Sequence, residues 1–343
     1  MTPTARPTVG STAPGATPRA TPRATKAVLR AVTIAACLPY LALKVAWIAG
    51  SHLGIPEGST LLDHENTMRA VNSLTVLMDA TVIVLTLLLT RPWGTRVPAW
   101  LLAVPMWVGT GLLAPIVTGF PATLAARVLG AGSASARPGG ERPMLESWVW
   151  NVVYTGFIVQ ALGLGALFVM YTRERWAPVW RGRLGELAPS VTAPAQRAVA
   201  IAAATLALVP LVLHALWAGG SARGLSTTVA ERRTADFHVL ETVYALWAVC
   251  MVVGVLMLGL RIGRSIRVLV PLVLAWLGSG AMTWWGAWLT FASLAAPSDV
   301  QQPTPVMHLT YAAQMITGFL VAAVGAYFFA ERGAERAEGK AAR

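Results

Sequence analysis

The sequence predicts an all-α membrane protein: eight transmembrane helices arranged as two tandem, parallel-related four-helix units, with both termini cytoplasmic. Three observations lead there: the composition, an internal repeat and the alternation of charge between loops. Hydrophobic residues make up 55% of the chain and charged residues 12%, where a soluble domain carries about 25% charged residues. The apolar residues fall in blocks of more than about 18, enough to cross a hydrocarbon core of roughly 30 Å as a helix. Eight such blocks occur, at about 28–50, 70–90, 98–118, 148–171, 198–218, 238–260, 267–291 and 309–330. They are continuous rather than alternating, which favours helices over a β-barrel, since only helices satisfy backbone polar groups within one segment in lipid.

The repeat is read from three stretches. Thr155-Gly156-Phe157-Ile158-Val159-Gln160-Ala161-Leu162-Gly163 returns as Thr317-Gly318-Phe319-Leu320-Val321-Ala322-Ala323-Val324-Gly325, with six of nine positions identical. Leu43-Lys44 through Trp47 and Gly50-Ser51 returns as Leu213-His214 through Trp217 and Gly220-Ser221, and Gly54 then matches Gly224. Trp107, Gly109 and Gly111 match Trp276, Gly278 and Gly280. Three blocks in the same order with nearly the same spacing point to duplication. Each unit has an even number of helices, so both enter from one side and the pseudo-two-fold axis is expected along the membrane normal.

The net charge of +12 does not indicate nucleic acid, because the basic residues sit in short alternate loops and tails. Arg91 and Arg96 follow the second block, Arg173, Arg175, Arg181 and Arg183 the fourth, and Arg261, Arg264 and Arg267 the sixth. The other side holds most acids, among them Glu57, Asp63, Glu65, Glu141, Glu146, Glu231, Asp236, Glu241 and Asp299. The positive-inside rule places the arginine-rich side in the cytoplasm and the protein in the inner (plasma) membrane.

Taken in order, residues 1–26 read as a disordered basic tail of Thr, Pro, Ala and Arg. A first unit covers 27–171, an interfacial linker 172–197, a second unit 198–330 and a short tail 331–343. Cys37 and Cys250 lie inside blocks with no partner nearby and read as small apolar residues. The segment 119–146 reads as a flexible crossover around 130–140. In the linker, Trp176 and Trp180 with the arginines suggest anchoring at headgroup depth. Trp148, Trp150, Trp284, Trp285 and Trp288 are expected in the outer aromatic belt, and Trp93 and Trp100 in the inner one.

Ionisable residues within the blocks are the site candidates, because each costs about 2.5–3.5 kcal/mol at the bilayer centre. Lys44 and Asp79 lie within roughly 5 Å of each other in depth at about 1.5 Å per residue and are expected to pair. His214 stands where the first unit has Lys44, and no acid is matched to Asp79 there. His238 and His308 lie near the outer ends of the sixth and eighth blocks, with Glu241 one turn from His238; together they offer a haem- or metal-binding alternative. The loops hold no nucleophile elbow, HExxH or phosphate loop, which argues against an enzyme.

The stretch Lys44-Val45-Ala46-Trp47 leading to Gly50, Gly54 and Pro56, its echo at His214 to Gly220, and the Arg/Ala-rich style resemble uncharacterised multi-pass membrane proteins of high-GC actinobacteria. The resemblance implies an integral inner-membrane protein and carries no catalytic residue. Three readings follow: a protein that binds or transports a small molecule at an outward-facing polar site formed by Lys44, Asp79, His214 and Glu241; a haem or metal protein centred on His238 and His308; and a scaffold or partner subunit.

Overall fold

The computed structural model describes residues 22–59, 61–130, 144–188, 191–296 and 302–341; side chains are described up to 334. Of the described residues 81% are helical, and eight helical stretches among them are long and apolar enough to span a membrane. In chain order the elements are α1 (Pro22–Ile48), α2 (Glu65–Thr90), α3 (Ala99–Val128), α4 (Ser147–Arg175), α5 (Ala177–Trp180), α6 (Ala193–Leu206), α7 (Leu208–Ala218), α8 (Thr227–Glu231), α9 (Ala235–Leu260), α10 (Leu269–Ala295) and α11 (Pro305–Ala341). Short 3₁₀ turns lie at Pro92–Arg96 and Leu184–Glu186.

The fifth apolar block is one span in two helical segments, α6 and α7. Pro210 has no N–H to offer the Leu206 carbonyl and its ring crowds that group; the helix resumes with Leu211 N–H bonding Ala207 O at 3.0 Å. Several helices outrun their apolar blocks. α1 begins at Pro22, inside the stretch expected to be a tail, because proline suits a first helical turn and Arg, Ala and Lys continue it well. α11 runs through the expected tail to Ala341 on an Ala/Glu/Arg/Lys sequence. α3 extends to Val128; positions 131–143, the centre of the expected crossover, and residues 1–21 lie outside the described residues.

The ends of the spans are tied together in two groups. At the arginine-rich end, Lys26 pairs with Glu174 at 2.6 Å, the Arg175 guanidinium donates to Val97 O at 3.2 Å, and Leu184 N–H donates to Ile266 O at 3.0 Å. At the far end, Glu146 N–H donates to Gly54 O at 2.9 Å and Arg127 pairs with Asp236. Consecutive spans therefore run up and down.

Helix packing in lipid gains little from burying apolar surface, so close backbone approach through small residues carries much of the association. The seam between α3 and α10 shows this most clearly. Gly111 and Gly280 face each other so closely that a Cβ on Gly111 would lie 2.5 Å from the Gly280 carbonyl oxygen. Two indoles flank the contact reciprocally: Trp107 of α3 donates Nε1–H to Ser279 Oγ of α10 at 3.1 Å, and Trp276 of α10 donates to Thr110 Oγ1 of α3 at 2.9 Å. Phe168 of α4 stacks on Trp276 and Phe319 of α11 meets Trp107 edge-on. Ser279→Ala and Thr110→Ala are each expected to destabilise the protein by about 1–3 kcal/mol, since each strands an indole N–H, buried for Trp107 and partly buried for Trp276. Chemical denaturation in detergent checks this; a difference of more than threefold between the two losses would contradict the reciprocal arrangement.

Trp284 and Trp285 do not join an outer belt. Trp285 donates to Leu112 O at 3.0 Å, and Trp284 packs at 5.5 Å, centroid to centroid, against Trp107. Their indoles fill the seam because the small residues of α3 leave room there. Trp93, Trp100, Trp148 and Trp150 are exposed, as residues of aromatic belts would be. Cys37 is buried with its thiol toward Thr33 O, whereas Cys250 is half-buried.

Candidate functional site

Two polar pairs lie inside the helical core near the far end. The first joins α1 to α2. Lys44 Nζ donates to Asp79 Oδ2 at 2.7 Å, with the lysine side chain 1% and the aspartate 6% exposed. The Tyr40 ring lies 3.8 Å from the ammonium, a cation–π contact one helical turn before Lys44. This pair falls where the depth estimate along the two helices places it.

The second pair joins α7 to α9. His214 Nδ1 lies 2.5 Å from Glu241 Oε2, with side-chain exposures of 2% and 11%. Glu241 thus supplies the acid that the sequence does not match to Asp79. It lies near the start of α9, one turn after His238. Gln314 of α11 closes the other side, its Nε2 at 2.6 Å from His214 Nε2. In this arrangement Nδ1–H can donate to the carboxylate while Nε2 meets the Gln314 amide. Trp217 meets the His214 ring edge-on and Tyr244 lies against it at 5.2 Å. Gln314 is fully buried, and its Oε1 has no hydrogen-bond partner among the described residues. Buried amide oxygens are rarely left so, because the lost hydration costs about 1–3 kcal/mol.

Local sequence sets both pairs at the same place relative to the helix end. α1 and α7 each end one turn after the polar residue in the same C-terminal turn. Gly50 and Gly220 adopt φ of 94° and 93°. Ser51 N–H bonds Ala46 O and Ser221 N–H bonds Leu216 O, both at 2.9 Å, as in a Schellman cap. Trp47 Nε1 donates to Leu53 O at 2.8 Å and Trp217 Nε1 to Arg223 O at 2.9 Å. The following turn glycines lie close against other spans, Gly54 on Val149 of α4 and Gly224 on Val306 of α11. Gln314 is the participant that sequence reasoning missed; it is a neutral polar residue within the eighth block, buried against His214, and only a search extended from charged to uncharged polar residues would have found it.

His238 and His308 are engaged separately. His238 Nδ1 lies 3.0 Å from Trp217 O, and His308 is exposed with its ring against Tyr311. With Glu241 committed to His214, no group of three or more His, Cys, Asp or Glu side chains able to hold a metal is present among the described residues. In the loop between α1 and α2, His52 Nε2 approaches Glu65 at 3.8 Å and Glu65 pairs with Arg69 at 3.0 Å.

Two surface depressions are lined by other residues. One, of about 500 Å³, follows the outer apolar face of α1 along Leu38, Ala42, Val45 and Ala49. The other, of about 400 Å³, lies at the arginine-rich end between the linker and the start of α10. Both polar pairs are closed to solvent in this conformation, and α2, which carries Asp79, has the smallest share of buried residues among the eight spans. The chain is therefore an all-helical, polytopic membrane protein in form, with eight apolar helices and two enclosed ionisable pairs. Comparison with protein-family models, with curated proteins and with solved structures finds no match.

Proposed function

We propose that the protein binds a small polar molecule and moves it across the cell membrane, using Lys44–Asp79 and His214–Glu241–Gln314 as its polar contacts. The observation that carries this reading is the pair of enclosed acid–base couples at matching places below the far end. Replacing a buried ion pair by apolar residues is often neutral or stabilising by about 1–4 kcal/mol, so packing alone gives little reason to keep four ionisable groups there. A ligand with its own charged or hydrogen-bonding groups can displace one partner from the other without leaving a charge bare. Opening of α2, the least buried span, would admit it to Lys44 and Asp79.

In the same proposal the two four-helix units arose by tandem duplication and face each other across a pseudo-two-fold axis along the membrane normal. The reciprocal tryptophan bonds at the α3–α10 seam and the shared C-terminal turns after Lys44 and His214 support it. The arginine-rich end faces the cytoplasm in this arrangement, which follows the positive-inside rule.

The test is uptake into proteoliposomes of a mixed panel of small labelled amines, amino acids and carboxylates. Wild-type protein is expected to accumulate at least one class. Glu241→Gln is expected to reduce that uptake by about tenfold or more, since a hydrogen bond to a charged group contributes roughly 1.5–3 kcal/mol. Folded wild-type protein that neither binds nor moves any member of the panel would sink this reading in favour of a partner subunit. A Soret band in protein expressed with haem supplied would instead favour the reading centred on His238 and His308.

A further inference from the structure

We propose that the depression at the arginine-rich end is a headgroup site for an acidic phospholipid. It is an open depression of about 400 Å³ between the linker after α5 and the first turn of α10, and the exposed Arg181, Arg183 and Arg267 line it with Trp180, Gly182 and Leu269. Its one acid, Glu186, is turned onto the backbone: Oε2 accepts from Arg183 N–H at 2.8 Å. None of the three guanidinium groups is in an ion pair among the described residues. Three cations and one capped carboxylate leave an anion-attracting pocket, with guanidinium forks suited to phosphate oxygens.

The pocket is built rather than draped. Leu184 N–H and Gly185 N–H donate to Ile266 O and Arg264 O at 3.0 and 2.9 Å, and Val268 N–H returns to Gly182 O at 3.1 Å. Arg332 of α11 holds the other edge, donating to Val179 O at 3.0 Å and Arg181 O at 3.2 Å. Gly182 turns the chain with φ of 98°. Arg183 Nη1 donates to Ser265 O at 3.2 Å, whereas the Arg181 and Arg267 guanidinium groups donate to no protein atom among the described residues.

A second feature favours a lipid over free phosphate. Leu269 begins a membrane span, and Leu269 and Val273, one turn apart on the same face of α10, are 39% and 44% exposed. An apolar track thus runs from the cationic pocket into the depth of the bilayer, where an acyl chain would lie. Trp180 at the rim has the amphipathic ring suited to headgroup depth.

The experiment uses the full chain in detergent with equal amounts of phosphatidylglycerol and phosphatidylcholine, with retained lipid read by native mass spectrometry. Wild type is expected to retain the acidic lipid in about tenfold or greater preference, and Arg181→Gln with Arg267→Gln to bring the ratio to parity, at about 1 kcal/mol per basic residue near the surface. Arg223→Gln, at the far end, is expected to leave the preference intact. The preference should fall as salt is raised, since charges at an exposed site are screened over about 8 Å at physiological ionic strength. No preference in wild type, or a preference that survives in the double variant, would overturn the proposal. So would displacement of the bound lipid by glycerol phosphate or inorganic phosphate at equal concentration, which would assign the pocket to a soluble anion. Should the double variant fail to fold, hydrogen exchange in wild type decides: amides of 180–186 and 264–269 are expected to exchange more slowly in phosphatidylglycerol nanodiscs than in phosphatidylcholine, and equal exchange overturns the site.

Discussion

Lys44→Met made alone is expected to destabilise the protein by about 3–5 kcal/mol, the cost of leaving one member of a buried ion pair without its partner. Lys44 and Asp79 meet at 2.7 Å with side chains 1% and 6% exposed, and Asp79 has no second donor among the described residues. Asp79→Leu is expected to cost less, because the ammonium keeps the face of the Tyr40 ring 3.8 Å away, a contact of about 2 kcal/mol when desolvated. The double variant Lys44→Met, Asp79→Leu removes both charges and should recover most of the loss, since apolar groups of similar volume then fill the space. Unfolding midpoints in mixed micelles give the three values. A double variant no better than the worse single would mean that the two residues act independently. The same protein separates structure from function: a folded double variant that has lost uptake assigns the pair to ligand handling, and one that keeps uptake assigns it to helix registry.

Much of this architecture is readable in the chain because lipid imposes a simple rule. A helix that crosses must be apolar for about 20 residues, so all eight spans stand out by composition. The Lys44–Asp79 pair is legible for the same reason: charges are rare in such blocks, and depth along two antiparallel helices can be counted at about 1.5 Å per residue. His214–Glu241 is harder. Glu241 lies near the start of its block, beside His238, and reads as part of an end cluster until the helices are packed. Gln314 is neutral and does not register as a cost in a charge count. The tryptophans of α10 mislead in a different way, because an indole near a helix end fits a belt and a helix seam equally well; only the small residues opposite, on α3, make the seam. Helix ends are extended beyond the apolar blocks by residues such as those of Pro22–Lys26 and Glu331–Ala341, whose polarity marks the edge of the membrane rather than the end of the helix.

Gly111→Leu is expected to be the most damaging single change at the contact between α3 and α10. Even a Cβ on Gly111 meets the Gly280 backbone, at 2.5 Å from the carbonyl oxygen and 2.8 Å from Cα, and a backbone cannot rotate aside as a flexible side chain would. α3 and α10 must separate, and the reciprocal bonds from Trp107 to Ser279 and from Trp276 to Thr110 stretch together. Overpacking costs about 1–3 kcal/mol and each lost hydrogen bond about 1 kcal/mol, for a loss of roughly 3–5 kcal/mol. The unfolding midpoint and a red shift of tryptophan emission check it; Gly165→Leu, where a Cβ meets nothing within 4 Å, is the reference, and equal stability of the two variants would refute the account. The neighbouring glycines of α10 and α3 differ from one another. At Gly278 a Cβ would meet the Met251 backbone nitrogen at 2.5 Å, whereas at the matching Gly109 the nearest atom is a Leu164 methyl at 3.9 Å. Gly278→Ala should therefore destabilise and Gly109→Ala should be tolerated. That difference places α9 backbone to backbone against α10 at Gly278, whereas Gly109 of α3 faces the end of a flexible α4 side chain at ordinary contact distance.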